Sequence, residues 1–403
     1  MKAVGVIVEY NPLHNGHLYH IQKAKELTNA DIVIAVMSGS FLQRGEPAVV
    51  SKWHRADMAV HHGIDLVIEL PYAFATQHAQ IFAYGAVRLL DSLRCDYICF
   101  GSESGDIQSF NDAYSLLKER KTSYEQLLKA FMEEGNSYPK AASLAFSQLT
   151  EDKKNMLDLS KPNNMLGFQY VRAVRSHNLA IELVTVSRKD ANHHDTYFSA
   201  ETIASATSIR KQLFNAENGL ATIKPYVPAY TSSILQAFQT EYGVYMQWEN
   251  YWPYLKFRLL QTPANELSDI YEMEEGLEHR LLATIQKADS FHHFLTLVKT
   301  KRYTWTRLQR ICTHILTNTK KKDLKKMSEP TYIRLLGSTA TGRLYLKEKK
   351  KAFLLPVVSK LSSFHNEQIA LDSRAAAIYS LGAPLSFQQK LAKLEYSQPP
   401  IMT

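Results

Sequence analysis

Five short apolar runs punctuate the first half of the chain. Val4 to Val8 is β-branched, and Asp31 to Met37 is a second run that ends at Ser38-Gly39-Ser40. Asp65 to Leu70 is stopped by Pro71, Tyr97 to Phe100 by Gly101-Ser102, and Ala180 to Val186 is the fifth. Continuous apolar runs bounded by Gly, Ser or Pro fit strands buried on both faces. Amphipathic stretches of helical length lie between them, such as Leu18 to Thr28, Ser51 to His62 and Ala79 to Leu93. Alternating strand and helix predicts an α/β fold with a doubly wound parallel sheet and right-handed crossovers. Ligands on such sheets bind at the carboxyl ends of the strands. The candidate site therefore gathers Glu9 to His17, Ser38 to Arg44, Gly101-Ser102-Glu103 and Ser187-Arg188.

The pattern changes after about Phe214. Pro225 and Pro228 interrupt it, and long helical stretches rich in Leu, Glu, Lys and Tyr follow. A boundary near residue 220 divides a sheet domain, 1–220, from a mainly helical one, 221–403, with a helical insertion at about 106–160 in the first. Length allows this, since 403 residues suffice for two or three cores. No apolar run reaches the roughly 20 residues of a membrane span. The N-terminal apolar stretch is too short for a signal peptide and meets Glu9, so a cytoplasmic protein is expected. Cys95, Cys99 and Cys312 form neither a disulfide framework nor a zinc ligand set and read as small core residues.

The segment Glu9-Tyr10-Asn11-Pro12-Leu13-His14-Asn15-Gly16-His17 follows the first predicted strand and opens a helix. Pro12 fixes φ and stops the strand. Gly16 lets a base or phosphate come against the backbone. His14 and His17, three apart at a helix start, can project to one side, where free N–H groups already favour an anion. That combination suits in-line phosphoryl displacement, which needs positioning and charge stabilisation more than a protein nucleophile. His193-His194-Asp195 invites a metal or acid–base reading, but adjacent residues point apart and do not make a ready ligand pair. Its role stays open, and no metal site is assigned.

Strand followed by His14-Asn15-Gly16-His17 resembles the HxGH signature of the nucleotidylyltransferase superfamily, which implies a Rossmann-like sheet. That superfamily has a second signature, an S/T-rich turn ending in arginine, and Ser205-Ala206-Thr207-Ser208-Ile209-Arg210 supplies it roughly 190 residues later. There Ser205 and Thr207 can cap a helix and, with Arg210, hold the β- and γ-phosphates. Met37-Ser38-Gly39, Gln43 to Ala48, Asp65 to Pro71, Phe100 to Glu103, Lys161 to Asn164 and Lys299 to Arg310 together resemble the bacterial tRNA(Met) cytidine acetate ligase family, over nearly the whole chain.

The resemblance implies an ATP-dependent ligase that forms acetyl-adenylate and acetylates N4 of the wobble cytidine of elongator tRNA(Met). His14 and His17 would be catalytic. The ATP contacts it implies are Ile7, Val8, Glu9, Tyr10, Asn11, Pro12, Leu13, His14, Asn15, Gly16, His17, Leu18, Tyr19 and His20, then Gly101, Asn163 and Arg188. Asn163 can read adenine or ribose through its amide, and Arg188 can meet a phosphate or carboxylate bidentately. Mg2+ is expected on the phosphates from ATP chemistry. The residues that hold acetate do not follow from the sequence, and no obligate protein partner is evident.

Net charge is +8, and its placement matters more than its size. From Lys299 to Lys326 ten basic residues meet the single acid Asp323, a net of +9, so the rest of the chain is close to neutral. Lys299, Lys301, Arg302, Arg307 and Arg310, with Tyr303 and Trp305 among them, are the predicted tRNA contacts, since basic residues track phosphates and aromatics stack on unpaired bases. Arg343, Lys347, Lys349, Lys350 and Lys351 extend the basic character. Two alternatives remain at this point: a small-molecule adenylyltransferase with no RNA substrate, and a non-catalytic RNA-binding protein on the same fold.

Overall fold

All five predicted strands form. In the computed structural model, which describes residues 1–150, 156–188, 202, 204–214 and 218–403, they are β1 (Ala3–Val8), β2 (Ile32–Ser38), β3 (Leu66–Leu70), β4 (Tyr97–Ser102) and β5 (Glu182–Ser187). β1 pairs in parallel with β2 and β4, β2 with β3, and β4 with β5. Every residue of β2 and β3 is buried, Glu69 of β3 included, as expected of strands covered on both faces. The helices Asn15–Thr28, Lys52–Val60 and Ala79–Ser92 lie between them, the second capped by Ser51, whose hydroxyl accepts from His54 N. The 106–160 stretch holds three helices, Ile107–Glu119, Lys121–Glu133 and Tyr138–Leu149, of which the middle one buries no residue.

The C-terminal half is mainly helical, and it also completes the sheet. β6 (Ile333–Ser338), β7 (Val357–Val358) and β8 (Ile401–Met402) bring the sheet to 8 strands, ordered β5-β4-β1-β2-β3-β6-β7 with β8 also on β6. The mainly helical reading of that half holds, and the three strands are elements that the sequence reading did not name. β6 joins β3 antiparallel, with Glu69 opposite Arg334. Arg334 breaks the apolar run of β6 in the sequence, yet it is only 2% exposed.

Beside Arg334 lies a buried ionic staple. Lys52 Nζ lies 2.7 Å from both oxygens of Glu69 and 2.7 Å from Glu395 Oε2, and Arg334 Nη2 donates to the Glu395 carbonyl at 3.3 Å. Burial alone would disfavour the Lys52 ammonium, but Glu395 and Glu69 outweigh it and raise its pKa. The staple ties the Lys52–Val60 helix and β3 to the last helix, Leu385–Ser397.

Candidate active site

The sheet order reverses between β1 and β4, the topological switch point at which a crevice opens beyond the strand ends. Arg55 sets the floor. Fully buried, it donates to the carbonyls of Glu9 (2.7 Å), Ser38 (2.9 Å), Val50 (3.3 Å) and Gly39, closing the ends of β1 and β2. The sequence reading missed this residue; its signal was a lone arginine among apolar neighbours in Trp53-His54-Arg55-Ala56.

Beyond β1 the chain turns sharply. Tyr10 takes φ +48°, and the Asn11–Pro12 peptide is cis. Asn11 is 2% exposed; its Oδ1 accepts from Val49 N at 2.7 Å. His14 caps the Asn15–Thr28 helix in an extended conformation. His14 N donates to His17 Nδ1 at 3.2 Å, so in the neutral ring the proton of His17 sits on Nε2, free to donate outward. The two rings stack, centroids 3.7 Å apart and 23° from parallel, with Tyr10 edge-on to His17 at 5.0 Å. Val8, Leu13 and Tyr19 point into the core, so their side chains are committed to packing. Asn15 Nδ2 donates to the carbonyls of Thr202 (3.0 Å) and Pro225 (2.9 Å), pinning the helix start to later segments.

The histidines are neutral. Burial drives the His14 pKa down to about 3, helped by Arg188 and Arg210. His17 is held well below the usual range by burial, then His14, His20 and Arg188, and His20 falls to about 4 through burial and Arg188. These rings therefore act as hydrogen-bonding groups. The fixed positive charge comes from the arginines. Glu9 is raised by burial, against the pull of its hydrogen bond from Gln43 N at 2.9 Å. Among the described residues, the buried atoms Tyr10 Oη, Asn11 Nδ2, His14 Nδ1 and His20 Nε2 have no protein partner.

Across the crevice, β4 and β5 bring Gly101, Asn163 and Arg188 together. A Cβ on Gly101 would lie 3.7 Å from Arg188 Cγ, an ordinary contact, so protein packing does not demand glycine there. Arg188 Nη1 is 3.5 Å from Asn163 Oδ1. Glu103, placed in the candidate site by the sequence with no role assigned, organises this corner. Its Oε1 accepts from Asn163 Nδ2 at 2.6 Å, its Oε2 from Asn164 N at 2.8 Å, and Asn164 Oδ1 accepts from Glu103 N and Ser104 N at 3.0 Å. The carboxylate thereby caps the Pro162–Ser176 helix.

Arg210 closes the third side. Ser205 Oγ accepts from Ser208 N at 3.1 Å and starts the Ala206–Phe214 helix. That helix delivers Arg210 to the Asn11 carbonyl (3.0 Å) and to Glu46 Oε2 (2.8 Å). Thr207 is exposed on the same turn. The two motifs thus meet in space. His193, His194 and Asp195 lie outside the described residues.

The basic stretch looks different in three dimensions. Arg302 pairs with Glu275 (3.3 Å) and Arg307 with Glu274 (2.8 Å). Arg310, 6% exposed, grips Glu272 with Nε and Nη2 at 2.7–3.1 Å. Tyr303 is buried, donates to Glu275 at 3.0 Å and lies under the Arg307 guanidinium. Arg310 and Tyr303 are therefore not on an open surface, which corrects their placement as tRNA contacts. The acids that answer them, Glu272 to Glu275, lie some thirty residues upstream, outside the window that carried the charge count. Trp305 is half-buried against His292, while Lys299, Lys301, Lys321, Lys322, Lys325 and Lys326 are exposed.

A family model described as HIGH Nucleotidyl Transferase matches residues 1–394. A protein of Geobacillus sp. (strain WCH70) named tRNA(Met) cytidine acetate ligase is 49% identical over 403 residues, covering 100% of both chains. The chain belongs to this family. A relative of the same name from Bacillus subtilis (strain 168) is 48% identical, with 100% of this chain and 97% of that protein covered. A crystal structure of Thermotoga maritima TmcAL bound with alpha-thio ATP has a TM-score of 0.90 and 33% identity, covering 100% of this chain and 99% of that one. The apo form of that protein gives 0.89. No helix among the described residues is long and apolar enough to cross a membrane.

Proposed function

We propose that this chain activates acetate with ATP and transfers the acetyl group to N4 of the wobble cytidine of elongator tRNA(Met). The observation that carries the reading is Arg210 seated on the carbonyl of Asn11, which joins the two phosphate motifs in one crevice. The names of the relatives supply the substrates. In the first step an acetate oxygen attacks the α-phosphorus of ATP and pyrophosphate leaves. In the second, cytidine N4 attacks the acetyl carbonyl, AMP leaves, and N4 gives up a proton.

Each residue's part follows from its placement. His17 Nε2–H, with the N-terminal amides of the Asn15–Thr28 helix, would donate to the α-phosphate as charge builds in line. His14, stacked on it, fixes its plane. Arg210 would hold the β- and γ-phosphates. Gly101, Asn163 and Arg188 would take the adenosine side, where glycine keeps the wall open to a flat base. Mg2+ would arrive on the ATP phosphates, as the chemistry of ATP implies.

Residues 1–220 would carry the adenylation chemistry and 221–403 the RNA contacts, in the cytoplasm where ATP and tRNA are found. The exposed lysines Lys299, Lys301, Lys321, Lys322 and Lys325 are the better phosphate contacts, with Trp305 available for stacking. Neutralisation of Arg302, Arg307 and Arg310 by glutamates favours one competing reading, a small-molecule adenylyltransferase. Exchange of labelled pyrophosphate into ATP separates them: exchange that requires acetate supports the ligase, and exchange driven only by another acceptor supports the competitor.

A further inference from the structure

The chain holds a residue, outside both phosphate motifs, whose placement decides where Arg210 points. Glu46 Oε2 accepts from Arg210 Nη2 at 2.8 Å, while Nη1 of the same guanidinium is on Asn11 O at 3.0 Å. Two contacts on two nitrogens fix the plane of the fork. A guanidinium has five N–H donors, so these contacts leave others for a phosphate.

Glu46 is itself built in. Gly45 N donates to Leu42 O and Leu42 N to Glu46 O, both at 2.9 Å, closing a tight turn. Phe41 and Pro47 bridge at its base. Gly45 has φ +77°, and a Cβ there would lie 2.4 Å from Arg310 N, so the turn rests directly on the backbone of the Trp305–Leu316 helix. Thr313 Oγ1 donates to Gly45 O at 2.8 Å and locks that seat. On its other side Gln43 N holds Glu9. The pair is mostly covered, with 14% of the Arg210 side chain and 28% of Glu46 exposed, so the fork has little freedom to swing away. A rigid loop that presents one carboxylate to the phosphate-motif arginine is a device for aiming it.

We propose that Glu46 is a positioning residue for adenylation, acting through Arg210 to align it with the departing pyrophosphate. The proposal rests on the reading of Arg210 as a phosphate ligand. It gives a reason for Gln43-Arg44-Gly45-Glu46 that the HxGH and Ser205–Arg210 motifs do not.

A double-mutant cycle in acetate-dependent ATP–pyrophosphate exchange tests it on the full-length protein. Glu46→Ala should lower kcat/KM for ATP by about ten- to a hundredfold, since misplacement of a clamp costs on that scale. KM for acetate and the melting temperature should hold. Glu46→Gln keeps an oxygen acceptor for Nη2 and should recover most of the loss. In an Arg210→Ala background, Glu46→Ala should cost nothing more. The same loss in both backgrounds, or no loss from Glu46→Ala, overturns the positioning role while leaving Arg210 as a ligand. Undiminished exchange in Arg210→Ala alone overturns the reading of Arg210, and the proposal with it.

Discussion

Arg210 Nη1 donates to the main-chain carbonyl of Asn11 at 3.0 Å, although 199 residues separate them in the chain. The contact places a cation beside the HxGH loop whose histidines carry none. On the proposed reading, charge stabilisation of the leaving phosphates falls to the arginines. Arg210→Ala should lose about 10²- to 10³-fold in the rate of pyrophosphate exchange, the scale for one preorganised donor. Exchange kinetics with a parallel melting curve check this; a folded variant with full activity would place the phosphates elsewhere.

The depressed histidines predict a pH behaviour with a definite sign. His14, near 3, and His20, near 4, have folded pKa values below the ordinary histidine value of 6.5. Between those limits the unfolded chain binds more protons, so their contribution to stability is complete above pH 6.5 and is lost as pH falls toward 4. Imidazole nitrogen shifts in NMR should report neutral rings at pH 6, and adenylation should show no acid limb near 6.5 from these residues. A ring of the loop titrating at 6.5 would contradict the geometry.

The staple in the sheet gives a prediction on stability alone. Lys52→Met removes the cation between Glu69 and Glu395 and leaves two buried carboxylates facing each other. Breaking a buried pair in this way costs about 3–5 kcal/mol. Denaturant unfolding measures it, and adding Glu69→Gln to the variant should restore part of the loss.

Arg310 and the exposed lysines should part company. Arg310→Ala leaves Glu272 buried without its partner and should cost about 3–5 kcal/mol of stability, with the salt dependence of tRNA binding unchanged. Lys321→Ala, Lys322→Ala and Lys325→Ala combined should leave stability near wild type and reduce the slope of log K against log salt by about 2. Filter binding across a salt series checks both. An unchanged slope in the triple variant would move the RNA face away from these lysines.

The parallel sheet was legible because β1 to β5 are continuous apolar runs, and such runs are what two-sided burial selects. β6 was not, because Arg334 interrupts it and its compensation comes from Glu395 and the face of Trp53, far away in sequence. The site split the same way. His14, His17 and Arg210 sit in compact motifs, whereas Arg55, Glu46 and Glu103 work through contacts between distant segments. The charge of the Lys299–Lys326 stretch misled for the same reason: a window along the chain does not see Glu272 to Glu275 folded against it.

Acetate activation followed by transfer to a tRNA cytidine is the activity proposed for this chain. Incubating the protein with ATP, labelled acetate and purified elongator tRNA(Met), then digesting the RNA to nucleosides, tests it most directly. Label should appear in N4-acetylcytidine at the wobble position, dependent on ATP and abolished by His17→Ala. ATP turnover with the label never entering the RNA would contradict it.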